Sequence, residues 1–163
     1  MKVLVFHIGP DRYALRLTVV SRVLPAAALK SVPLAPSYVA GLLDLHGEAV
    51  PVIDLSRLSG IVPDQVWFDS RIILVDYVVD YAAGHVADHA VGSATRKLGL
   101  LAEHVLGVDS IAAHALSDSG VDGAPFLGQV AGTENGLLQL VELGELLAPD
   151  VRALLFQQER ATP

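Results

Sequence analysis

GLLDLHGEAVPVIDLSRL, residues 41–58, is the stretch that decides the predicted fold. Two short apolar runs flank the dipeptide His46-Gly47, a pattern that predicts two antiparallel strands joined by a tight turn. Pro51 has no N–H to donate, so we expect its strand to lie at a sheet edge or at a bulge there. Asp54 is expected to cap a short helix, and Gly60 to end it.

The first forty residues predict a hairpin, a helical turn and a connector. VLVFHI (3–8) and RYALRL (12–17) are β-rich runs separated by a turn sequence that begins Gly9-Pro10. TVVSRVL (18–24) spaces its apolar residues for one short helical turn. The segment 26–41 contains Pro33 and Pro36, so we expect an extended connector along a sheet edge.

The second half of the chain follows the same plan. RIILVDY (71–77) predicts a strand, and KLGLLAEHVLGV (97–108) predicts a strand that runs into a Val-x-x-Val turn. GTENG (132–136) has the composition of a hairpin turn. GLLQLVELGELLAP (136–149) predicts a strand that runs into a short helix.

An internal repeat relates the two halves. The Val-x-x-Val sequence at 20–23 aligns with that at 105–108, and VIDLSRL (52–58) aligns with LVELGEL (140–146). Short repeats of this kind also arise by chance. If the repeat is structural, it predicts two similar small β-barrels, each closed so that no strand edge is left free.

Two segments fall outside the repeat. YVVDYAAGHVADHAVGSAT (77–95) is long for a hairpin loop and predicts a loop insertion. DVRALLFQQER (150–160) predicts a terminal amphipathic helix with Val151, Leu154 and Leu155 on one face. We therefore expect a single domain over 1–158, with two intertwined β-barrel subdomains at roughly 14–70 and 71–143, and a tail at 159–163.

Composition limits the class of partner. Hydrophobic residues make up 52% of the 163 residues and charged residues only 18%, which is typical of a well-packed globular domain. Eleven basic residues against 18 acidic ones give a formal charge of -7, the wrong sign for binding nucleic acid. The chain has no cysteine and neither a signal-peptide pattern nor an apolar run long enough to span a membrane. These features predict a cytoplasmic protein.

Residues with catalytic potential are sparse. His85 and His89 are four residues apart with Asp88 between them, a spacing that places both rings on one helix face. A metal- or ligand-binding β-barrel protein that uses these three residues is therefore the alternative to a binding module, although a polar loop holding two histidines is the simpler interpretation. No serine lies in a nucleophile-elbow sequence. We expect a protein-binding module that is not an enzyme and uses no cofactor or metal.

The order of these motifs resembles the CheW-like domain, the family of chemotaxis coupling adaptors. The resemblance covers nearly the whole chain apart from 77–95 and the last few residues. It is densest from Gly41 to Leu55, within the pattern P-x-x-x-x-G-x-x-x-x-x-G-x-x-V-P-V-x-D-L. Further matching segments are FHIGPDRYALRLTVVSRVLP, IILVDY, LGLLAEHVLGV, PFLGQVA and LLQLVELGELL.

The resemblance implies a mostly β fold of two SH3-like five-stranded β-barrels in one domain, with short helices and a C-terminal helix. It also implies a non-enzymatic adaptor that couples the cytoplasmic tip of a methyl-accepting chemoreceptor to the regulatory domain of a CheA-type histidine kinase. Such an adaptor is recruited to membrane-associated receptor arrays without inserting into the membrane and without binding nucleic acid. The partner-binding residues that it implies are Arg22, Val23, Asp44, Leu45, His46 and Gly47.

Three positions depart from the family's pattern. The resemblance implies an arginine where this chain has His46, an asparagine where it has Asp44, and often an acidic residue where it has Arg22. Arg22 and His46 cannot form the ion pair that such an arginine and acid can form. An imidazole also cannot copy the bidentate fork of a guanidinium. We interpret the change as an altered set of partners; neutral drift in a surface turn is the alternative.

A narrower resemblance concerns the output of signalling. PFLGQVA (125–131) and VRALLF (151–156) are similar to segments of adaptors from alternative chemosensory clusters, such as the Wsp type that controls a diguanylate cyclase in surface sensing. This similarity implies cyclic di-GMP as the output. Flagellar or pilus motility is the default otherwise.

Overall fold

The computed structural model describes residues 1–61, 70–80, 93–120 and 123–156. Within these ranges the chain forms eleven strands and two short α-helices. The strands are β1 Lys2–Ile8, β2 Asp11–Arg16, β3 Val20–Pro25, β4 Val39–Leu45, β5 Glu48–Asp54, β6 Arg71–Asp80, β7 Ser93–Ala102, β8 His104–Ser110, β9 Leu116–Ser117, β10 Leu127–Thr133 and β11 Gly136–Val141. The helices are α1 Leu55–Leu58 and α2 Pro149–Leu155, and 3-10 turns cover Leu17–Val19, Ala113–Ala115 and Leu143–Glu145.

The strands form two sheets. Of the described strands, six form sheet 1 in the order β8-β1-β2-β11-β10-β9, and five form sheet 2 in the order β3-β6-β7-β5-β4. Neighbours are antiparallel except for the pairs β2–β11 and β5–β7, which are parallel. The predicted mostly β fold with a C-terminal helix is confirmed. Sheet 1 has one strand more than the predicted five, because the two-residue β9 pairs with β10.

The two halves of the repeat exchange one strand each between the two sheets. β3 leaves the β1–β2 hairpin and pairs with β6 of sheet 2, and β8 leaves the β6–β7 hairpin and pairs with β1 of sheet 1. Both crossing strands shift register at the same place, between Val20 and Arg22 in β3 and between Val105 and Gly107 in β8. The aligned 20–23 and 105–108 segments are therefore equivalent in the structure. Neither sheet follows the expected division into 14–70 and 71–143, because each takes strands from both halves.

The central strands β1 and β6 are buried on both faces, which explains their continuous apolar sequences. Alternate residues, among them Leu4 and Phe6 of β1 and Ile73 and Val75 of β6, enter a central core shared by both sheets. The residues between them enter a smaller cluster within each sheet. The sheet 1 cluster is Val3, Val5, Ala14, Ile111, Ala131, Leu138 and Leu140, and the sheet 2 cluster is Leu43, Val50, Val52, Ile72 and Leu74.

The hairpin and helix predicted from 41–58 are confirmed, but the position expected for Pro51 is wrong. β5 is an interior strand of sheet 2, between β4 and β7. Pro51 is opposite Leu42, whose backbone N–H and C=O both bond to Lys30 on the far side of β4. The Pro51 nitrogen therefore faces β7, where the ladder begins only at Val52. The missing N–H is tolerated because no ladder bond is required there.

Three other predictions need correction. Residues 18–24 do not form a helical turn: only Leu17–Val19 is a 3-10 turn, and β3 follows it because β-branched valines pair with β6. Val105 and Val108 likewise lie in strand β8 rather than in a turn. The expected 77–95 insertion is too long at both ends, since β6 extends to Asp80 and β7 begins at Ser93.

The C-terminal helix is shorter than the predicted 150–160. α2 covers Pro149–Leu155, and the residues from 157 onward lie outside the described part of the chain. Val151 is buried in the central core and Leu155 is half-buried against it, as predicted. Leu154 is 40% exposed and does not belong to the buried face. Phe156, just after the helix, instead stacks on Tyr77 with ring centroids 5.4 Å apart.

Candidate functional site

The β4–β5 turn is a two-residue turn with a fixed backbone. Leu45 pairs with Glu48, and the residues between them both have positive φ, 53° for His46 and 89° for Gly47. This combination is the type I′ turn, whose twist matches that of the flanking strands. The carboxylate Oδ1 of Asp44 accepts a 2.8 Å hydrogen bond from the Gly47 N–H. The side chain of Asp44 therefore helps hold the turn that carries His46.

The turn is packed against the protein on one side and exposed to solvent on the other. Leu45 is half-buried and packs against the sheet 2 cluster. Asp44, His46 and Gly47 are exposed. An imidazole is therefore presented to solvent on a rigid support, beside the carboxylates of Asp44 and Glu48. Such a turn can offer one hydrogen-bond donor and one acceptor to a partner at little ordering cost.

Arg22 and Val23 lie on β3, the strand at the other edge of sheet 2. Both are exposed, Val23 at 37%. Leu24 of β3 and Leu45 of β4 nevertheless pack against the same cluster, so the sheet curls its two edges around one small core. The structure thus brings Asp44, Leu45, His46 and Gly47 together in one turn. It leaves Arg22 and Val23 on a separate strand edge, without a hydrogen bond or ion pair to that turn among the described residues.

Sequence reasoning missed an exposed apolar edge on β8. Leu106 and Val108 are 55% and 58% exposed on the edge strand of sheet 1. Val108 is the repeat equivalent of Val23, so the alignment of the two Val-x-x-Val segments already contained the signal. β3 carries Arg22 at the register shift where β8 carries Gly107, so the two edges differ in charge. A charged residue blunts an open strand edge against unwanted pairing.

The described residues contain no group of three or more His, Cys, Asp or Glu side chains close enough to hold a metal ion. His85, Asp88 and His89, the residues of the alternative interpretation, lie outside the described part of the chain. His7 and His104 contact each other edge to face, with ring centroids 5.9 Å apart, on the neighbouring strands β1 and β8. In the part of the chain that the structure covers, no helix is long and apolar enough to cross a membrane.

Among the described residues, Asp54 at the end of β5 is the buried residue with a charged side-chain type. It is 7% exposed and accepts hydrogen bonds from the backbone N–H groups of Ser56 and Arg57, which caps α1. Burial raises the pKa of Asp54, while the two N–H groups and the Arg57 guanidinium oppose that effect. Ser56 also donates a 3.1 Å hydrogen bond to Glu103. Asp54 is thus a structural cap that fixes the end of the hairpin rather than an exposed functional group.

Comparison with known proteins identifies the family of the chain. The family model of the CheW-like domain matches residues 2–150. The chain belongs to the CheW-like domain family. Within this CheW-like family it is 25% identical to the chemotaxis protein CheW of Bacillus subtilis (strain 168) over 146 residues, 90% of this chain and 86% of that protein. It is 31% identical to the protein FrzA of Myxococcus xanthus over 111 residues, 68% of this chain and 69% of that protein.

The CheW-like fold is also matched by a crystal structure. The scaffolding protein TtCheW from Thermoanaerobacter tengcongensis superposes with a TM-score of 0.75 at 25% sequence identity, covering 92% of this chain and 94% of that one. These similarities confirm the predicted family and fold class. They also confirm a chemotaxis scaffold or adaptor in place of an enzyme.

Proposed function

We propose that this CheW-like protein couples the cytoplasmic tip of a chemoreceptor to the regulatory domain of a CheA-type histidine kinase. The observation that supports the proposal is the rigid β4–β5 turn, in a chain whose residues 2–150 match the family model of the CheW-like domain. Coupling requires two non-covalent contacts held at once. The protein works in the cytoplasm and is recruited to membrane-associated receptor arrays through these contacts.

The receptor contact is assigned to Asp44, Leu45, His46 and Gly47, with Arg22 and Val23 as a flanking surface. The support is exposure: the turn and the β3 edge both offer side chains to solvent on backbones fixed by pairing. His46 gives this surface one imidazole in place of a guanidinium fork, which reduces the number of hydrogen bonds available to a carboxylate. Receptor recognition by this chain is therefore expected to differ from that of an arginine-bearing adaptor.

Each contact is expected to be small and weak when measured alone. Transient signalling contacts lie at the small end of the range of protein–protein interfaces, and we expect each of these two contacts to be of that kind. An array that repeats both contacts raises the effective concentration of each partner, so the assembled complex is held more tightly than its parts.

The first experiment measures binding of the purified protein to the regulatory domain of the CheA-type kinase from the same genome by biolayer interferometry. Saturable binding with a Kd of about 1–10 μM or tighter supports the proposal. The double variant His85→Ala/His89→Ala should bind equally well, since those histidines play no part in coupling. Absence of binding to every such kinase domain of the genome would overturn the coupling function.

The second experiment tests the receptor surface with His46→Arg. The guanidinium restores a bidentate donor, so receptor pull-down should increase while the Kd for the kinase domain is unchanged. His114→Arg adds the same charge away from the turn and serves as the matched control. An equal increase from both variants would mean that added charge, and not the β4–β5 turn, governs receptor binding.

For the output, we propose control of a diguanylate cyclase and hence of cyclic di-GMP. The support is the similarity of PFLGQVA (125–131) and VRALLF (151–156) to adaptors of Wsp-type clusters. Deleting the gene should change the cellular cyclic di-GMP level and leave swimming speed intact. A motility defect at unchanged cyclic di-GMP would assign the protein to a flagellar or pilus system.

A further inference from the structure

The C-terminal helix α2 is held to the domain by one apolar face. Val151 and Phe156 are buried, and Leu155 is half-buried between them along the chain. All three pack in or against the central core, where the Phe156 ring stacks on Tyr77. The part of the core that these side chains cover, which includes Tyr77, is termed the α2 docking site. It accepts a helix with apolar side chains at positions i, i+4 and i+5.

Two polar atoms are buried at the α2 docking site without a hydrogen bond. Tyr77 is 1% exposed, and neither its hydroxyl nor the Nε of Arg152 has a partner within the described part of the chain. Burial raises the pKa of Tyr77, while nearby Arg152 lowers it and Glu145 raises it. The phenol therefore lies close to two charged side chains and bonds to neither. A buried donor without an acceptor opposes the packing that buries it.

Little else holds α2 in place. It covers the seven residues Pro149–Leu155, and its N-cap residue Ala148 makes no side-chain hydrogen bond. Helices this short do not persist alone in water, so α2 depends on its docked face. The Arg152 guanidinium donates to the Leu147 carbonyl at 3.5 Å, which is the long limit of a hydrogen bond. These are the properties of an element that opens locally while the rest of a domain stays folded.

The unpartnered hydroxyl indicates what the α2 docking site lacks. A guanidinium has donors only, so Arg152 cannot accept the proton that Tyr77 offers. A carboxylate at the same helix position can accept it. A helix that combines such a carboxylate with the three apolar side chains would keep the packing of α2 and satisfy the phenol. The site therefore fits an acidic amphipathic helix better than it fits α2.

We propose that the α2 docking site binds an amphipathic helix of a partner protein and that α2 is its built-in competitor. The partner helix places apolar side chains at i, i+4 and i+5, and an acidic side chain at i+1 accepts the hydrogen bond from Tyr77. Because α2 must leave first, the affinity for the partner is reduced to the fraction of molecules in which α2 is undocked. This site lies beyond the two contacts of the proposed coupling, and its test requires neither the receptor nor the kinase.

The first test measures the opening of α2 with trypsin in the full chain. Arg152 is a trypsin site within α2. Arg16 is the matched control, since it lies on β2, an interior strand of sheet 1 between β1 and β11. Cleavage after Arg152, followed by mass spectrometry, should be about 100-fold faster than cleavage after Arg16. Equal rates would overturn the proposal, because α2 would then open only when the whole domain unfolds.

Tyr77→Phe tests the buried hydroxyl. The ring and its stacking on Phe156 remain, but the docked state no longer buries a donor without an acceptor. Cleavage after Arg152 should therefore slow by about five-fold or more. Faster cleavage would mean that the hydroxyl stabilises the docked helix, and this would overturn the proposed preference for an acidic partner.

The second test measures the binding of a helix directly. The probe is a fluorescent synthetic helix of about 15 residues with valine, glutamate, leucine and phenylalanine at i, i+1, i+4 and i+5. Fluorescence anisotropy should give a Kd about ten-fold lower for the full-chain variant Phe156→Ala than for wild type, because a weakened α2 competes less. Leu154→Ala is the matched control, since Leu154 is 40% exposed and lies outside the docked face. Its Kd should stay within about two-fold of wild type.

A probe with alanine in place of its glutamate tests the hydrogen bond to Tyr77. It should bind Phe156→Ala about five-fold more weakly than the acidic probe does. Adding Tyr77→Phe to that variant should abolish the difference between the two probes. A difference that persists without the hydroxyl would overturn the role of Tyr77.

Phe156→Ala removes a buried ring, so circular dichroism checks its fold, and the milder Leu155→Ala repeats the comparison. A saturating concentration of the acidic probe should also speed cleavage after Arg152 in the wild type, since bound probe keeps α2 undocked. Failure of the probe to bind any of these chains would overturn the helix-binding site. An equal gain in affinity from Leu154→Ala and Phe156→Ala would overturn the role of α2 as competitor.

Discussion

The sheet 1 cluster and the sheet 2 cluster occupy equivalent places in the repeat but are filled in opposite ways. In sheet 1, Val5 pairs with Ala14, and in sheet 2 the equivalent Leu74 pairs with Gly99. A Cβ added to Gly99 would lie 2.9 Å from Val52 Cγ2 and 3.0 Å from Ile72 Cγ2. At this pair sheet 2 thus uses a larger side chain on β6, Leu74, and no side chain on β7, at Gly99. One backbone plan has been packed by two different side-chain solutions.

The largest expected difference in unfolding free energy is between substitutions at Gly41 and at its repeat equivalent, Gln129. Gly41 has a φ of 148°, and a Cβ there would lie 2.6 Å from the Lys30 carbonyl oxygen. Gly41→Val should lower the free energy of unfolding by about 3 kcal/mol or more, because both the backbone and the neighbouring chain must move. Gln129→Val should change it by less than about 1 kcal/mol. Urea unfolding measures both, and equal losses would contradict the difference between the two sites.

A smaller effect is expected from exchanging the small residues of the two clusters. Gly99→Ala should destabilise the protein by about 1–3 kcal/mol through overpacking, and Ala14→Gly by about 1 kcal/mol. Adding Ile72→Ala to Gly99→Ala removes the Cγ2 methyl that the new Cβ would meet at 3.0 Å, and should recover part of the overpacking loss. A double-mutant cycle measures this coupling. Strictly additive effects would show that Gly99 and Ile72 do not share space.

The third prediction compares the ends of β5 and β11. Asp54 caps α1, whereas the equivalent Glu142 makes no cap and reaches instead to Arg16 at 3.1 Å. Asp54→Ala should cost about 1 kcal/mol of unfolding free energy. Glu142→Ala should cost less, about 0.2–1 kcal/mol, because its half-exposed ion pair is screened by solvent. Equal losses in thermal or urea unfolding would mean that the cap contributes no more than the ion pair.

The raised pKa of Asp54 predicts how the stability of the protein changes with pH. Burial raises the pKa of Asp54, so the wild type is stabilised below the ordinary aspartate pKa of about 4 and loses that contribution as pH rises through the raised pKa. Asp54→Asn keeps a capping group and does not titrate. Its unfolding free energy relative to wild type should therefore increase from pH 4 to pH 7. A decrease over that range would mean that the cap and Arg57 outweigh burial.

The smallest expected effect concerns the two hairpin turns. Among the described residues, Leu34 and His46 are the non-glycine residues with positive φ. His46→Asn creates the Asn-Gly sequence that type I′ turns prefer and should add a few tenths of a kcal/mol of stability. Glu134→Asn, in the equivalent β10–β11 turn, should add nothing because Glu134 lacks positive φ. Equal gains measured by urea unfolding would remove the distinction between the two turns.

The sequence predicted the features that are set by residues close together along the chain, and not those set by pairing between residues far apart in sequence. The 41–58 hairpin, its Asp54 cap and the grouping of Asp44 to Gly47 depend on neighbouring residues, so patterns along the chain were sufficient. The local spacing of residues 18–24 predicts a helical turn, whereas their strand conformation comes from pairing with β6, some fifty residues later in the chain. The separation of Arg22 from the turn depends on sheet order for the same reason. The strained Leu34 had no signal, since leucine is not a residue of left-handed turns.

The strand exchange between the repeats also determines how soon after synthesis β1 can pair with β8. The Met1 amino group bonds to the carbonyl of Ile111, 110 residues along the chain, and among the described strands β8 covers the outer edge of β1. At a synthesis rate of about 5–20 residues per second, the first hairpin waits on the order of 5–20 s for its partner strand. During that time β1 exposes apolar side chains on both faces and an unpaired edge. The nascent chain is therefore a natural client for chaperones, and early truncation leaves an aggregation-prone hairpin in place of a smaller working domain.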